Sequence, residues 1–239
     1  MSRPAPDVQE LEPGTVVLSA VIGIVLAAGG FVVGIGATGV ASGTTAFWYL
    51  SRGSGFAAYV LLWGSVTWGL LLSTGIGRAW SRPPQLLDVH QFLSAAGAGF
   101  AVFHGLVLMG DRYLAFPLHA VLVPFAGRYE PLLVAFGQIA FWLAVMLIAS
   151  FYVRRQIGGR TWRRLHYAGF AAFWLAFFHA LLLGTDRATV WARLILFTTA
   201  APVIFLTLHR ILSTRTLSYM IAGTESTTTP SPPHARPGR

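Results

Sequence analysis

The chain has 239 residues, of which 55% are hydrophobic and 10% charged, and its mean hydropathy of +0.64 is typical of an integral membrane protein. It contains no cysteine, which excludes thiolate haem ligation, iron–sulfur clusters, disulfides and Cys-type zinc sites. The formal charge of +9 comes from 17 arginines against eight acidic residues, and the arginines lie mainly in short loops, where they indicate membrane topology and not nucleic-acid binding.

Six apolar segments follow one another along the chain, so we expect an all-α, six-helix transmembrane bundle. Residues 1–13 are polar and predict a cytoplasmic segment, and residues 14–212 predict the membrane domain. Each segment is long enough for a hydrocarbon core about 30 Å thick. The predicted spans are about 15–40, 56–76, 86–109, 131–152, 165–184 and 190–212. Residues 213–239 end in a Ser-, Thr- and Pro-rich stretch and predict a disordered cytoplasmic tail.

The arginines indicate the orientation of this bundle. Six spans put both termini on one side of the membrane, and most arginines fall on that side, including the cluster Arg154, Arg155, Arg160, Arg163 and Arg164. The positive-inside rule therefore predicts cytoplasmic termini. We expect a multi-pass protein of the plasma membrane, in a bacterium the inner membrane.

Two of the predicted spans carry a pair of histidines each. His90 and His104 lie 14 residues apart in the third span, and His166 and His179 lie 13 residues apart in the fifth. These spacings correspond to about 20 Å along a helix, so His90 comes level with His166, and His104 with His179. Histidine is costly in hydrocarbon and is a functional residue there by default. Four at matched depths predict axial ligation of two stacked b-type haems, with one ligand from each helix for each iron.

The spacing in the fifth span is less regular than that in the third. Fourteen residues nearly complete four turns, whereas thirteen leave His166 and His179 about 140° apart on an ideal helix. The fifth span therefore requires a kink, a tilt or local overwinding. Gly169 lies where it permits one.

An acidic–basic pair follows the second histidine of each span at the same offset. Asp111-Arg112 follows His104, and Asp186-Arg187 follows His179. Arg112 and Arg187 are therefore candidate partners of haem propionates. The alternative, that these polar residues only mark helix exits, stays open.

These residues resemble the ferric-reductase-like transmembrane domain. That family is the six-helix haem module of NADPH oxidases, ferric reductases and the haem-bearing membrane subunit of a bacterial methionine sulfoxide reductase system. The resemblance extends from about Phe47 to Leu212 and rests on the two histidine pairs and on the basic sequence 162–166 that leads to the fifth span.

The resemblance implies an inner haem on His90 and His166 and an outer haem on His104 and His179. It also places Arg52 near the outer haem, and Arg163, in the basic approach to the fifth span, is a further candidate propionate partner. Superoxide-producing oxidases have another outer histidine where this chain has Leu108, so oxygen reduction is not implied.

The function that we predict is transmembrane electron transfer by an oxidoreductase component without a catalytic side chain of its own. About 27 polar residues follow the sixth span, without a G-x-G-x-x-G motif, so we expect flavin only through a partner. The donor would be a cytoplasmic flavoprotein or flavin reductase bound at the basic loop Arg154–Arg164. The acceptor would be a protein or a ferric chelate at the outer face.

Two alternatives remain open from the sequence. One is a membrane cytochrome linked to quinol or quinone. The other, from a different class, is a haem-sensing or structural membrane protein without electron-transfer turnover. In each case we expect the remaining histidines, His119, His209 and His234, not to bind iron, because they lie in a loop, near the end of the sixth span and in the tail.

Overall fold

The computed structural model describes residues 44–79, 82–111 and 116–227, and across these ranges the chain is all-helical. The long helices are α1 (Thr44–Thr74), α2 (Pro83–Gly110), α4 (Pro131–Tyr152), α7 (Ala168–Leu183) and α8 (Val190–Thr227). The short ones are α3 (Leu118–Leu122), α5 (Arg154–Ile157) and α6 (Gly159–His166), and a 3₁₀ turn, Ile76–Ala79, follows α1. The predicted N-terminal segment and the first predicted span, 15–40, lie outside the described residues.

Five segments of the described chain are long and apolar enough to cross a membrane. They are Ala46–Thr74, Pro83–Gly110, Pro131–Tyr152, Gly159–Leu183 and Val190–Ser213. The fourth consists of α6 and α7. These segments confirm an all-α, multi-pass membrane architecture.

Glycine and proline set the ends of several helices. Gly75 has a φ of 77°, a backbone conformation that favours glycine, and it ends α1. Pro83 and Pro84 begin α2, where the missing N–H of proline costs no helical hydrogen bond. Gly158, with a φ of 81°, separates α5 from the basic helix α6.

Two predicted boundaries are wrong. Helix α1 starts at Thr44 and not near 56, so the Ser- and Gly-containing stretch 51–55 is helical and Arg52 lies on a helix. The Ser54 hydroxyl donates to the Leu50 carbonyl, one turn earlier, so this serine does not break the helix. Helix α8 continues to Thr227, whereas the tail was predicted to start at 213. Residues 213–222 contain neither proline nor glycine to stop it.

Helix α2 has a run of small residues where it packs against α1. Ala95, Ala96, Gly97, Ala98 and Gly99 are all buried. A β carbon on Gly97 would lie only 3.4 Å from the backbone nitrogen of Leu62 in α1. The small side chains thus serve helix packing here, as in other membrane bundles.

Helix α1 also packs against α7 and α8 in a core of large side chains. Its buried members are Tyr59, Leu70, Phe173, Phe177, Leu196, Ala200, Val203 and Leu206. The Tyr59 hydroxyl shares a hydrogen bond of 2.6 Å with the Thr199 hydroxyl, which ties α1 to α8.

The outside of the bundle is apolar. Phe205 is 63% exposed, Leu194 60% and Phe197 56%, all on α8. Large apolar side chains spread over a helix surface are expected where that surface faces lipid.

The short helix α3 lies beside the end of α2 that carries His104. A β carbon on Gly105 would meet the Val121 side chain at 2.9 Å. The Gln138 side-chain amide of α4 donates to the carbonyls of Ala120 and Val121 at 2.7 and 2.9 Å, and the indole of Trp142 donates to that of Leu122. Side chains of α4 therefore hold α3 in place over this end of the bundle.

Candidate cofactor site

All four histidines of the sequence pattern line one cavity of about 940 Å³. His90 and His104 lie on α2, His166 is the last residue of α6, and His179 lies on α7. Single ligand pockets typically measure about 300–1,000 Å³, so this cavity is at the upper end of that range.

The histidines form two facing pairs, which we call the first pair (His90 and His166) and the second pair (His104 and His179). The ring centroids are 5.9 Å apart in the first pair, with an angle of 65° between the ring planes. In the second pair the centroids are 6.4 Å apart and the angle is 82°. Each pair joins α2 to the segment formed by α6 and α7, as the matched depths predicted.

These separations fit two imidazoles on opposite sides of one metal ion. An imidazole nitrogen binds a first-row metal ion at about 2.0 Å and lies about 1.1 Å from the ring centre, so the two centroids of such a site are about 6 Å apart. Among the described residues, no group of three or more histidine, cysteine or acidic side chains could hold a metal ion. A porphyrin brings four nitrogens of its own, so two axial histidines are a sufficient protein contribution for a haem.

Three of the four imidazoles are fixed through the nitrogen that faces away from such a metal position. Nδ1 of His90 bonds to the Ser65 carbonyl at 2.9 Å, Nδ1 of His104 to the Ser51 carbonyl at 2.8 Å, and Nδ1 of His179 to the Leu133 carbonyl at 2.8 Å. A carbonyl oxygen only accepts, so each Nδ1 carries the proton and each Nε2 keeps its lone pair for a metal ion. This is the usual arrangement of metal-binding histidines.

His166 is held differently. Its ring lies against the indole of Trp162, with centroids 5.0 Å apart and planes 31° apart. Its side chain is exposed, whereas the other three histidines are partly buried. Arg163 and Arg210 line the cavity at this end, and Arg210 reaches the hydroxyl and the ring face of Tyr167. The sequence did not indicate Arg210 as part of this site, because it lies 44 residues along the chain from His166.

The predicted irregularity of the fifth span is a break at Tyr167, two residues before Gly169. The Tyr167 N–H donates to the Arg164 carbonyl, and the Phe170 N–H donates to the Tyr167 carbonyl. Bonds to the third residue back belong to a 3₁₀ turn, which is wound more tightly than an α-helix. The break therefore adds rotation in the direction that the 13-residue spacing requires.

The candidate propionate partners have different positions. Arg52 lines the cavity next to the second pair, where it forms a two-point ion pair with Asp186 and lies over the ring of Trp48. Arg163 lines the cavity next to the first pair. Arg187 lines a smaller hollow and donates to the Leu182 carbonyl. Arg112 lies outside the described residues.

The other histidines lie apart from the two pairs. His119 is exposed on α3, and His209 lies on α8 with its ring 6.3 Å from that of Phe205. Neither is among the residues that line the cavity of the four histidines. His234 lies outside the described residues.

No protein-family model, no curated protein and no solved structure matches this chain. The resemblance to the ferric-reductase-like domain therefore stays a prediction from the histidine pattern.

Proposed function

We propose that the chain binds two b-type haems through its histidine pairs and carries electrons across the membrane. The observation that carries this proposal is the pair geometry: two sets of facing imidazoles with centroids 5.9 and 6.4 Å apart, placed at two levels of one cavity. The residues present fit the group, since three of the four rings also have the Nδ1–carbonyl bond that leaves Nε2 to the metal.

When bound, each haem supplies an iron that takes up and releases one electron. The chain's part is to hold the axial ligands and to surround the site. His90 and His104 would each provide a ligand from α2, and His166 and His179 the opposite ligands. The apolar helices exclude water along the path, and the positive guanidinium of Arg163 or Arg210 would bind a propionate at the first pair.

The direction that we propose is from the cytoplasm outward, as in a ferric reductase. The first pair lies next to the most basic part of the chain, helices α5 and α6, and the positive-inside rule assigns that end to the cytoplasm. A separate flavoprotein or flavin reductase would deliver electrons to the first pair. The second pair, the inferred outer site, would pass them to an acceptor protein or a ferric chelate.

An absorption spectrum of the purified protein before and after dithionite tests the cofactor. We expect low-spin b-type spectra with two haems per chain. His104→Ala and His179→Ala should remove the outer haem and leave at least part of the inner one, whereas His119→Ala and His209→Ala should keep the full haem content. Purified protein without haem, or four ligand variants with unchanged spectra, would refute the proposal.

Membranes with a purified donor test the electron transfer separately. We expect the haems of the wild type to be reduced by a flavoprotein donor and reoxidised by an external ferric chelate. Reduction by a quinol alone would favour the quinol-linked cytochrome. Bound haem that no donor reduces would favour a sensing or structural role.

A further inference from the structure

Three glycines lie directly against three of the four histidine rings. A β carbon on Gly55 would be 3.1 Å from Nδ1 and Cε1 of His104, and one on Gly69 would be 3.2 Å from Cε1 of His90. A β carbon on Gly137 would be 2.9 Å from Nδ1 and Cε1 of His179. The contact at Gly137 is shorter than real β carbons make, and those at Gly55 and Gly69 are tighter than nine in ten real ones, so an alanine would require each ring to shift by a few tenths of an ångström or more.

The glycines have the same position relative to the carbonyl that each ring binds. Each lies four residues after the acceptor: Gly55 after Ser51, Gly69 after Ser65, and Gly137 after Leu133. Residues four apart lie one above the other on the same face of a helix. The missing side chain therefore opens the space through which the imidazole reaches the carbonyl one turn earlier.

Helix α1 repeats this arrangement at the spacing of the histidines that it serves. Ser51 and Ser65 are 14 residues apart, as are Gly55 and Gly69, and so are His104 and His90 on α2. Each histidine of α2 therefore meets the same combination of carbonyl and glycine on α1. Helix α4 provides the third copy, at His179.

We propose that Gly55, Gly69 and Gly137 are positioning residues for the axial ligands, an inference that rests on the proposed haem function. Each glycine admits one imidazole to its backbone acceptor, which fixes the ring orientation and raises the basicity of the ligand nitrogen. The second pair has two such supports, and the first pair has one, at His90. Trp162 takes the place of the carbonyl at His166.

The test compares Gly55→Ala, Gly69→Ala and Gly137→Ala with Gly53→Ala. Gly53 lies on the same helix as Gly55, and a β carbon there has no atom within 4 Å. An alanine within a helix is otherwise more favourable than a glycine, so the haem-free variants should fold. Haem affinity, the low-spin EPR signal of each haem and the thermal stability of the haem-free protein are the measurements.

We expect each variant to affect a single haem. Gly55→Ala and Gly137→Ala should weaken binding of the outer haem by about 10- to 100-fold and change its EPR signal, as the loss of such a support does at other metal sites. Gly69→Ala should do the same to the inner haem, and Gly53→Ala should match the wild type. The haem-free stability should stay close to that of the wild type in all four, because the gain from an alanine in a helix offsets the lost imidazole–carbonyl bond.

The possible failures are distinguishable. Wild-type protein that binds no haem refutes the proposed function and, with it, this inference. If the wild type binds two haems but the glycine variants keep its haem affinity and EPR signals, only the inference about the glycines is refuted. Loss of both haems at once, an equal loss in Gly53→Ala, or a variant that does not fold without haem would show a general packing role and would also overturn it.

Discussion

The ion pair between Arg52 and Asp186 should be a main support of the end of the bundle near the second histidine pair. It joins α1 to the loop after α7, and it has two points of contact, Nε to Oδ2 at 2.8 Å and NH2 to Oδ1. The guanidinium also lies over the ring of Trp48, 4.0 Å from its centroid. Asp186→Asn keeps the shape of the side chain and removes the charge, so it isolates the electrostatic part of this contact.

The size of the effect follows from the geometry and the exposure. Unit charges about 4 Å apart attract by about 4 kcal/mol at an effective dielectric constant of about 20. The Arg52 side chain is 24% exposed and that of Asp186 9%, so the pair is neither a surface pair nor a fully buried one. Exposed pairs contribute at most about 1 kcal/mol, and the loss of one partner of a buried pair costs about 3–5 kcal/mol. We expect about 2 kcal/mol here, or a fall in Tm of about 4–8 °C for a chain of this length.

A double-mutant cycle measures this coupling. Arg52→Gln, Asp186→Asn and the double variant are unfolded thermally in detergent, with the exposed Arg128→Gln as the control. If the pair is the support that we infer, the double variant is no less stable than either single one. Additive losses would refute the reasoning. Loss of the outer haem in Arg52→Gln, with unchanged stability in Asp186→Asn, would instead assign Arg52 to a propionate.

Three further predictions concern other contacts. Tyr59→Phe removes the buried hydrogen bond to α8 and should lower the free energy of unfolding by about 1 kcal/mol, measured by thermal unfolding, with the haem spectra unchanged. Gln138→Leu removes two bonds to carbonyls of α3, so limited proteolysis should cut the loop around α3 faster than in the wild type. Arg155, Arg160 and Arg164 are exposed residues of α5 and α6, and replacing all three with Gln should slow donor-dependent haem reduction and flatten its salt dependence, because complementary charge speeds encounter. An unchanged rate in correctly inserted protein would favour a quinol donor.

The sequence predicted the parts of the structure that side-chain type and spacing determine. Histidine is rare in apolar helices, so both pairs could be found, and the mismatch of 13 residues with the helical repeat indicated a kink, a tilt or local overwinding in the fifth span. The supports of the rings were not predicted. They are backbone carbonyls, which every residue has, and glycines, of which the chain has 26. Only the agreement of the 14-residue spacings between two helices would have indicated them.

The helix ends were harder to predict for a different reason. The stretch 51–55 contains serine, glycine and arginine, a composition that favours a loop in water. Within an apolar bundle the backbone groups must be satisfied internally, and α1 therefore continues through it. This extension is what places Arg52 on a helix beside Asp186 and the Ser51 carbonyl beside His104. The misassigned boundary thus lies at the second histidine pair itself.

The two pairs differ in a way that bears on the proposed direction of electron flow. His104 and His179 are both anchored to backbone carbonyls. His166 has an exposed side chain, a stacking partner in place of a carbonyl, and the basic helices α5 and α6 next to it. If the chain binds haem as proposed, the basic helices next to the first pair offer a donor protein a surface of complementary charge. His166 is the proposed ligand with the least support, because a ring contact with Trp162 stands where the other three histidines have a carbonyl bond. If the haem function holds, haem dissociation from the wild type should therefore begin at the inner site.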